Sequence, residues 1–316
     1  MTNVIVTGSL GFDYIMDFSG RFADRIMPDK LHCLSLSFLV DKLSKQNGGT
    51  AGNISYTLKL LGLDPHILAP AGNDFGPYKS FLKQHKLDTS FIPIHAHVST
   101  SAYFVMTDKD SNQIGSFFSG AGMYAKELSI GKILSTTDKN FVILAPAEPH
   151  AMTLYVRECK EMHLDYLYDP AFQIDTFTPD ELREGISGAR ILVGNDYEIA
   201  LIEQKLEISH EELIVMVPIL ITTLGSKGSI IETRTDAIHV KPAKPVSSSD
   251  PTGSGDAYRA GFIAGYLRDF DLAVCGQMGS VVAVYTVEKY GTQTHTFTKK
   301  EFIKRYEKNF GGTLLL

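Results

Sequence analysis

Apolar residues fall in short blocks along this chain, and the blocks alternate between two periods. Val4-Ile-Val-Thr7, His66 to Ala71, Phe141-Val-Ile-Leu144, Leu164 to Tyr168, Ile191-Leu-Val193 and Ile219 to Thr223 are runs that read as buried strands. Between them lie stretches with helical spacing. Gly52 to Leu61 puts Ile54, Leu58 and Leu61 on one face. Tyr78 to Gln84, Ala151 to Met162 and Ala257 to Leu267 read as further helices. This alternation predicts an α/β fold with a mostly parallel sheet and helices on both faces.

Two stretches break the rhythm. Asp13 to Leu43 has no convincing long helix and carries many aromatic and apolar residues. Val98 to Phe118 reads as two strands, Ser101 to Thr107 and Gln113 to Phe118, joined by the polar turn Asp108 to Asn112. Together they predict a small sheet apart from the main one. Its exposed apolar face would cover a ligand or pair with a second subunit. Two ordinary surface hairpins fit the same pattern.

Composition narrows the field. The 316 residues read as one large domain spanning 1–316, 44% apolar and 21% charged, an ordinary mixture for a soluble protein. The net charge of −6 gives no basic footprint for nucleic acid, so any phosphate site must be built locally. Cys33, Cys159 and Cys275 are far apart, odd in number and without metal spacing, which points to free thiols and a reducing compartment. The first residues run straight into a strand pattern, so no signal peptide is expected. Leu213 to Leu220 contains Pro218 and is too short to span a bilayer. We therefore expect a cytoplasmic protein with no membrane partner.

Candidate chemistry concentrates at Asp250-Pro-Thr-Gly-Ser-Gly-Asp256. Two glycines in a turn ahead of a helix let backbone N–H groups converge into an anion site. A carboxylate at its mouth would repel a phosphate, unless Asp256 takes a proton from the hydroxyl that attacks it. A glycine-rich turn capped by two aspartates is the bland alternative. Gly8-Ser9-Leu-Gly11-Phe-Asp13 closes the first strand where ligands enter open α/β sheets. Asp13 there is either a turn residue or a ligand for adjacent hydroxyls. Gly48-Gly49-Thr-Ala-Gly52-Asn53 precedes a helix, with Asn53 as helix cap or hydroxyl ligand. In Gly72-Asn-Asp74, Asp74 reads as structural, a cap for the next helix. Asn195-Asp-Tyr-Glu198 places hard oxygen ligands three residues apart at a helix start, a pattern shared by Mg²⁺ sites and capping boxes. Thr222-Thr223-Leu-Gly225-Ser-Lys227-Gly228 closes another strand, and no P-loop occurs anywhere. Lys227 fits a surface lysine as well as a phosphate ligand. His95 and His97 fall on one strand face without acidic or thiol partners, so no zinc site is expected.

These motifs, in this order over nearly the whole chain, resemble the ribokinase (PfkB) family of carbohydrate and nucleoside kinases. Asp250, Thr252, Gly253, Gly255 and Asp256 match its C-terminal signature, with Ser254 in place of Ala and Pro251 as an extra position. Gly48 to Asn53 matches its first signature, and Asn195 with Glu198 its Asn-x-x-Glu motif. The resemblance implies a ribokinase-like three-layer α/β fold with a small β-sheet lid, made here of segments near 13–43 and 98–118. It implies ATP-dependent transfer to a primary hydroxyl, with Asp256 as base and the Gly253, Ser254 and Gly255 amides around the transferred phosphoryl. Ser9, Asp13, Gly49 and Asn53 would hold the acceptor. Asn195, Thr223, Gly225, Lys227, Gly228 and Thr252 would lie along ATP, with Mg²⁺-bound waters on Asn195 and Glu198. K⁺ beside the Asp250 loop belongs to the same pattern, as does an adenine pocket near Val281 to Thr292.

The segments Val6 to Asp13, Phe18 to Phe22, Asn195 to Glu198 and Asp250 to Phe262 look most like the bacterial adenosine kinase branch, in which lid aromatics sandwich a purine, and Pro251 and Arg259 favour a nucleoside kinase over a sugar kinase. Tyr103 and Phe117 are the expected pair, with Phe104 and Phe118 the substitutes after a register slip. Gln173 matches a polar position facing the nucleoside, but Phe172 stands where relatives have a second glutamine. The expected acceptor is adenosine at its 5′-OH. A kinase for a bare sugar is the near alternative. A Rossmann oxidoreductase and a catalytically silent nucleoside binder are the distant ones. A homodimer through the lid sheet is also expected.

Overall fold

The computed structural model describes residues 2–33, 35–110, 112–135, 139–247 and 251–316. Its main sheet has eight strands. Thr2–Thr7 pairs in parallel with Pro65–Leu68 on one side and Lys139–Leu144 on the other. Beyond Lys139–Leu144 follow Asp165–Tyr168, Ile191–Asn195 and Ile219–Thr223, all parallel. Ser229–Glu232 and Ala237–Val240 finish that edge in antiparallel pairing. Successive side chains of a strand point to opposite faces, and both faces here are apolar. Val4, Val6, Phe141, Ile143, Ile191 and Val193 enter one core, whereas Ile5, Val142, Leu144 and Leu192 enter the other. The first core is covered by helices Thr50–Leu60, Gly76–Gln84, Ser254–Tyr266, Leu272–Val287 and Lys299–Phe310. Pro149–Glu161, Pro179–Gly188 and Asp196–Leu206 cover the second. Among the described residues no helix is long and apolar enough to cross a membrane.

A second sheet stands apart, in the order Lys42–Gly48, Gly11–Asp17, Ser101–Thr107, Gln113–Phe118. Its first strand begins at Gly11, and its second runs from Lys42 to Gly48, so it extends past the 13–43 segment read from the sequence. Short 3₁₀ turns, Phe22–Asp24 and Pro28–Cys33, lie between these strands. The polar turn is organised by Asp108, whose buried carboxylate accepts the N–H groups of Phe22 (2.9 Å), Asp110 (2.9 Å) and Asn112 (2.8 Å). Strand register sorts the side chains into two faces. Asp13, Tyr103 and Phe117 share one, and Tyr14, Phe104, Ser116 and Phe118 share the other. On that other face Tyr14 stacks on Phe104 at 4.7 Å.

Asp74 does not cap the following helix, which lacks a side-chain cap. Its Oδ1 accepts the Thr100 N–H at 2.8 Å and so fastens the approach to strand Ser101–Thr107. His95 stacks on Tyr124 (4.1 Å) and His97 Nε2 lies 2.8 Å from the Tyr124 hydroxyl, so both histidines pack on this tyrosine.

Candidate active site

The C-terminal ends of the parallel strands face the underside of the small sheet, and the chemistry-bearing residues gather there. Gly253 takes φ +77°, a left-handed conformation that strains any side chain, and a Cβ there would come 2.8 Å from Thr292 Cγ2. The turn sends the Ser254 N–H back to the Pro251 carbonyl (3.1 Å). The next first-turn amides, Gly255 and Asp256, have no carbonyl four residues earlier in the helix and remain for an anion. Of the three expected amides, Ser254's is thus engaged within the turn. Asp250 lies outside the described residues.

Asp256 is half-buried, and desolvation pushes its carboxyl above the usual carboxylate range. Two partners oppose that shift. The Arg259 guanidinium attracts the charge, and Asn53 Nδ2 donates to Asp256 Oδ2 at 2.8 Å. Asn53 Oδ1 in turn accepts from Gln293 Nε2 at 2.8 Å. The signature asparagine therefore touches the expected base directly.

Arg259 sits one helical turn after Asp256. Its Nε lies 2.5 Å from Asp169 Oδ2, with side-chain exposures of 10% and 1%. Asp169 ends the strand region Asp165–Tyr168, and its Oδ1 has no hydrogen-bond partner among the described residues. Desolvation pushes Asp169 up, and Arg259 pulls it back. Arg259 Nη1 reaches 2.7 Å from where a Gly255 Cβ would stand, so the cation lies directly behind the anion turn.

The acceptor side is built by the first strand and the Thr50–Leu60 helix. Ser9 and Thr50 bond reciprocally: the Ser9 N–H reaches Thr50 Oγ1 (3.1 Å) and the Thr50 N–H reaches Ser9 Oγ (3.2 Å). Gly49 is the helix N-cap, and its carbonyl takes the Asn53 N–H at 2.9 Å. Asp13 is 6% exposed and packs against Gly48.

A cavity opens beside these residues. Gly8, Ser9 and Ser101 form one wall, and Phe117, Met123, Glu148, Phe172 and Gln173 line the rest. Phe117 and Phe172 are 6.1 Å apart between ring centroids, tilted by 52°. Gln173 Nε2 donates to the Ala147 carbonyl at 2.8 Å, which fixes its amide. Tyr103 faces Phe117 across the strands but does not line this cavity. Its hydroxyl lies over Gly115, and burial and the Asp13 charge push its phenol up. Of the expected aromatic pair, only Phe117 reaches the cavity wall, where Phe172 joins it.

On the opposite side Asn195 and Glu198 form a capping box. Asn195 Oδ1 accepts the Glu198 N–H and Glu198 Oε2 accepts the Asn195 N–H, each at 2.8 Å. This box leaves the second Glu198 carboxylate oxygen for a hydrated cation, so the donor set fits water-mediated Mg²⁺. Among the described residues no three His, Cys, Asp or Glu side chains group to ligate a metal directly. Thr223 pairs with Asn195 in register, and its hydroxyl donates to the Gly194 carbonyl at 3.4 Å. Gly225 to Gly228 form a tight turn closed by the Leu224 N–H on the Gly228 carbonyl (2.8 Å), with Lys227 exposed. Thr252 sits half-buried at the anion turn.

Sequence reasoning missed Asp169, Gln293, Tyr78 and Met123 in this site. Asp169 had a signal, an acid between a strand end and Pro170. Arg259 had one too, three residues after Asp256. Gln293 had none, because its role depends on a loop returning from the far end of the chain.

The chain matches the profile of the pfkB family carbohydrate kinases over residues 12–299. It is 31% identical to a nucleoside kinase of Methanothermobacter thermautotrophicus, covering 98% of this chain and 97% of that one. Its fold is similar to that of Burkholderia thailandensis nucleoside kinase in complex with inosine, with a TM-score of 0.90, 30% identity and coverage of 98% and 99%. The same enzyme in complex with ADP-inosine gives a TM-score of 0.88 and 32% identity, covering 98% and 97%. Nothing in these likenesses singles out the adenosine kinase branch. With the family profile matched along most of its length and the fold matched end to end, the chain belongs to the pfkB family of carbohydrate kinases and has their ribokinase-like α/β fold.

Proposed function

We propose that this kinase phosphorylates the 5′-OH of a purine nucleoside, with adenosine as the first acceptor to test and inosine beside it. The observation that carries the reading is one juxtaposition. Asp256 stands at the start of the glycine-turn helix, bonded to the signature Asn53, and the cavity walled by Phe117, Phe172 and Gln173 includes Ser9 of the acceptor side. Two tilted rings suit a flat base, whereas a bare sugar would call for polar walls. The inosine bound by the Burkholderia relative supports a purine.

In this reading Asp13, Asn53 and the Gly49 backbone hold the ribose. Asp256 takes the proton from the 5′-hydroxyl as it attacks the γ-phosphoryl of ATP. The Gly255 amide, with the flanking Gly253 and Ser254 turn, neutralises charge on the transferred group. Losing one such donor typically costs about 10²–10³ in rate. ATP lies along Thr223, Gly225 to Gly228 and Thr252, and Mg²⁺ supplies charge neutralisation when bound through water at Asn195 and Glu198. K⁺ beside the Asp250 loop completes the proposal, and the enzyme works in the cytoplasm, where ATP is made and thiols stay reduced. The small sheet closes over the acceptor and excludes water. Its other face exposes Leu43, Phe104, Ile114 and Phe118, and we assign that face to a homodimer. Light scattering tests the dimer, and a clean monomer removes it without touching the chemistry.

The deciding assay is ADP release with adenosine, inosine, guanosine, ribose and fructose phosphates. Purine nucleosides should be turned over far better than ribose. Equal use of ribose would replace this reading with a sugar kinase.

A further inference from the structure

The Gly48 to Asn53 signature contains a third glycine, Gly52, which neither a ligand nor a turn explains. It lies inside the Thr50–Leu60 helix, where glycine is unfavourable. The space it leaves is filled. A Cβ on Gly52 would overlap the Tyr78 hydroxyl and fall 2.9 Å from Gln293 Nε2.

Through that gap three side chains from distant segments join. The Tyr78 hydroxyl donates to the Gly48 carbonyl at 2.9 Å. Gln293 Nε2 donates to the Tyr78 oxygen (2.5 Å) and to Asn53 Oδ1 (2.8 Å). Asn53 Nδ2 then donates to Asp256 Oδ2 at 2.8 Å. Tyr78 is fully buried, and Asn53 and Gln293 are 5% and 4% exposed. Chemistry fixes the polarity of this chain of bonds. An ionised carboxylate only accepts, so Asn53 must turn its NH₂ towards Asp256 and its oxygen away. Only an N–H can then meet Asn53 Oδ1, so Gln293 must present its own NH₂. Its Oε1 is left buried without a partner among the described residues, so the orientation sacrifices local satisfaction of that oxygen.

We propose that Gln293 is a positioning residue for catalysis, which locks the Asn53 amide in the one orientation that donates to Asp256, and that Gly52 exists to let Gln293 and Tyr78 reach it. No proton needs to travel along the chain. Freed from Gln293, the Asn53 amide is held only by its bond to Asp256, its oxygen loses its partner, and the donor that aims the base is no longer fixed from behind. The inference rests on Asp256 being the base.

The test is a cycle of variants assayed with adenosine and inosine, using whichever the unmodified enzyme turns over. Gln293→Met keeps the side-chain volume and removes both N–H groups. It should lower kcat about tenfold or more, with KM for ATP and nucleoside within about threefold. Asn53→Ala should lower kcat at least as far, and adding Gln293→Met to it should cost nothing further, because Gln293 acts through Asn53. Gly52→Ala should reproduce the Gln293→Met loss although its methyl touches no substrate. Multiplicative losses in the double variant would overturn the proposal, as would normal kcat in a folded Gln293→Met. If Gln293→Met does not fold, Gln293→Asn retracts the same amide by one methylene and is read in the same cycle. Failure of the base assignment looks different: Asp256→Asn would then turn over normally, whatever Gln293 does.

Discussion

Removing Arg259 should separate what the buried ion pair does for stability from what it does for the base. In Arg259→Met the Asp169 carboxylate stays in a site only 1% exposed and loses the cation 2.5 Å away. Breaking a buried pair from one side typically costs about 3–5 kcal/mol, because an uncompensated charge remains. For a chain of this size that corresponds to a fall in Tm on the order of 5–15 °C. Adding Asp169→Asn removes the stranded charge, so the double variant should recover most of the loss. The base responds differently. Arg259 lowers the Asp256 pKa against the desolvation that raises it, so losing the cation should move the acid limb of the kcat profile to higher pH. That displacement should persist in the double variant, since restoring neutrality at residue 169 does not return a positive charge to Asp256. Thermal unfolding at fixed pH and turnover from pH 4 to 9 read the two effects. If the single and double variants lose stability equally, the ion-pair reasoning fails. An acid limb that stays put in both would show that Arg259 does not act on Asp256.

Other consequences can be measured on the same protein. Asp256→Asn should keep ADP binding by calorimetry and lose about 10²–10⁴ in kcat, the range for a general base, and near-normal turnover would sink that assignment. Asp13→Ala should raise KM for the nucleoside far more than for ATP, and an equal effect on both would make Asp13 structural. Replacing Phe117 and Phe172 by Ala should weaken adenosine several-fold and leave ribose hardly changed, since an aromatic pair is worth about 0.5–1.5 kcal/mol beyond its buried area. His295 is buried, lies 3.3 Å from both the Thr57 and Thr286 hydroxyls, and has its pKa pushed down to about 4 by desolvation. Below pH 6.5 the unfolded chain binds a proton there that the folded chain refuses, so stability should fall by roughly 3 kcal/mol as pH drops to about 4. A His295→Gln variant that keeps the full acid slope would assign it elsewhere.

The layers of this fold were legible because the buried strands are apolar on both faces and the surface helices, such as Pro149–Glu161 and Pro179–Gly188, bury spaced apolar positions. Ile5 and Val6 need no further information to be sent to opposite cores. The anion turn was legible because it is local, with Gly253 and Asp256 only three residues apart. The small sheet was read with its ends displaced, because Gly11 and Gly48 carry no β propensity of their own and are strand through pairing, Gly48 with Gly11 and Gly11 also with Ser101. The aromatic wall is only partly legible for a similar reason. Alternation shows that Tyr103 and Phe117 share a face, but the reach of each ring depends on where the Ala171–Thr176 turn delivers Phe172.

What no local pattern shows is how the base is held between opposing forces. A general base is most useful when its pKa lies near the working pH, neither stranded by burial nor pinned by strong partners. Around Asp256 desolvation pushes one way, while Arg259 and Asn53 pull the other. The two opposing partners come from the helix that carries the base and from the first signature helix, about two hundred residues upstream. Asn53 has a second N–H on the same nitrogen that bonds Asp256. If the acceptor hydroxyl meets that N–H, one amide fixes both the base and the group it must deprotonate, and their separation no longer depends on the closing sheet. Closure would then govern access and dryness, whereas alignment would already be present in the open enzyme. Substitutions in the small sheet should accordingly raise KM and wasteful ATP hydrolysis, while those at Asn53 should depress kcat even with saturating nucleoside.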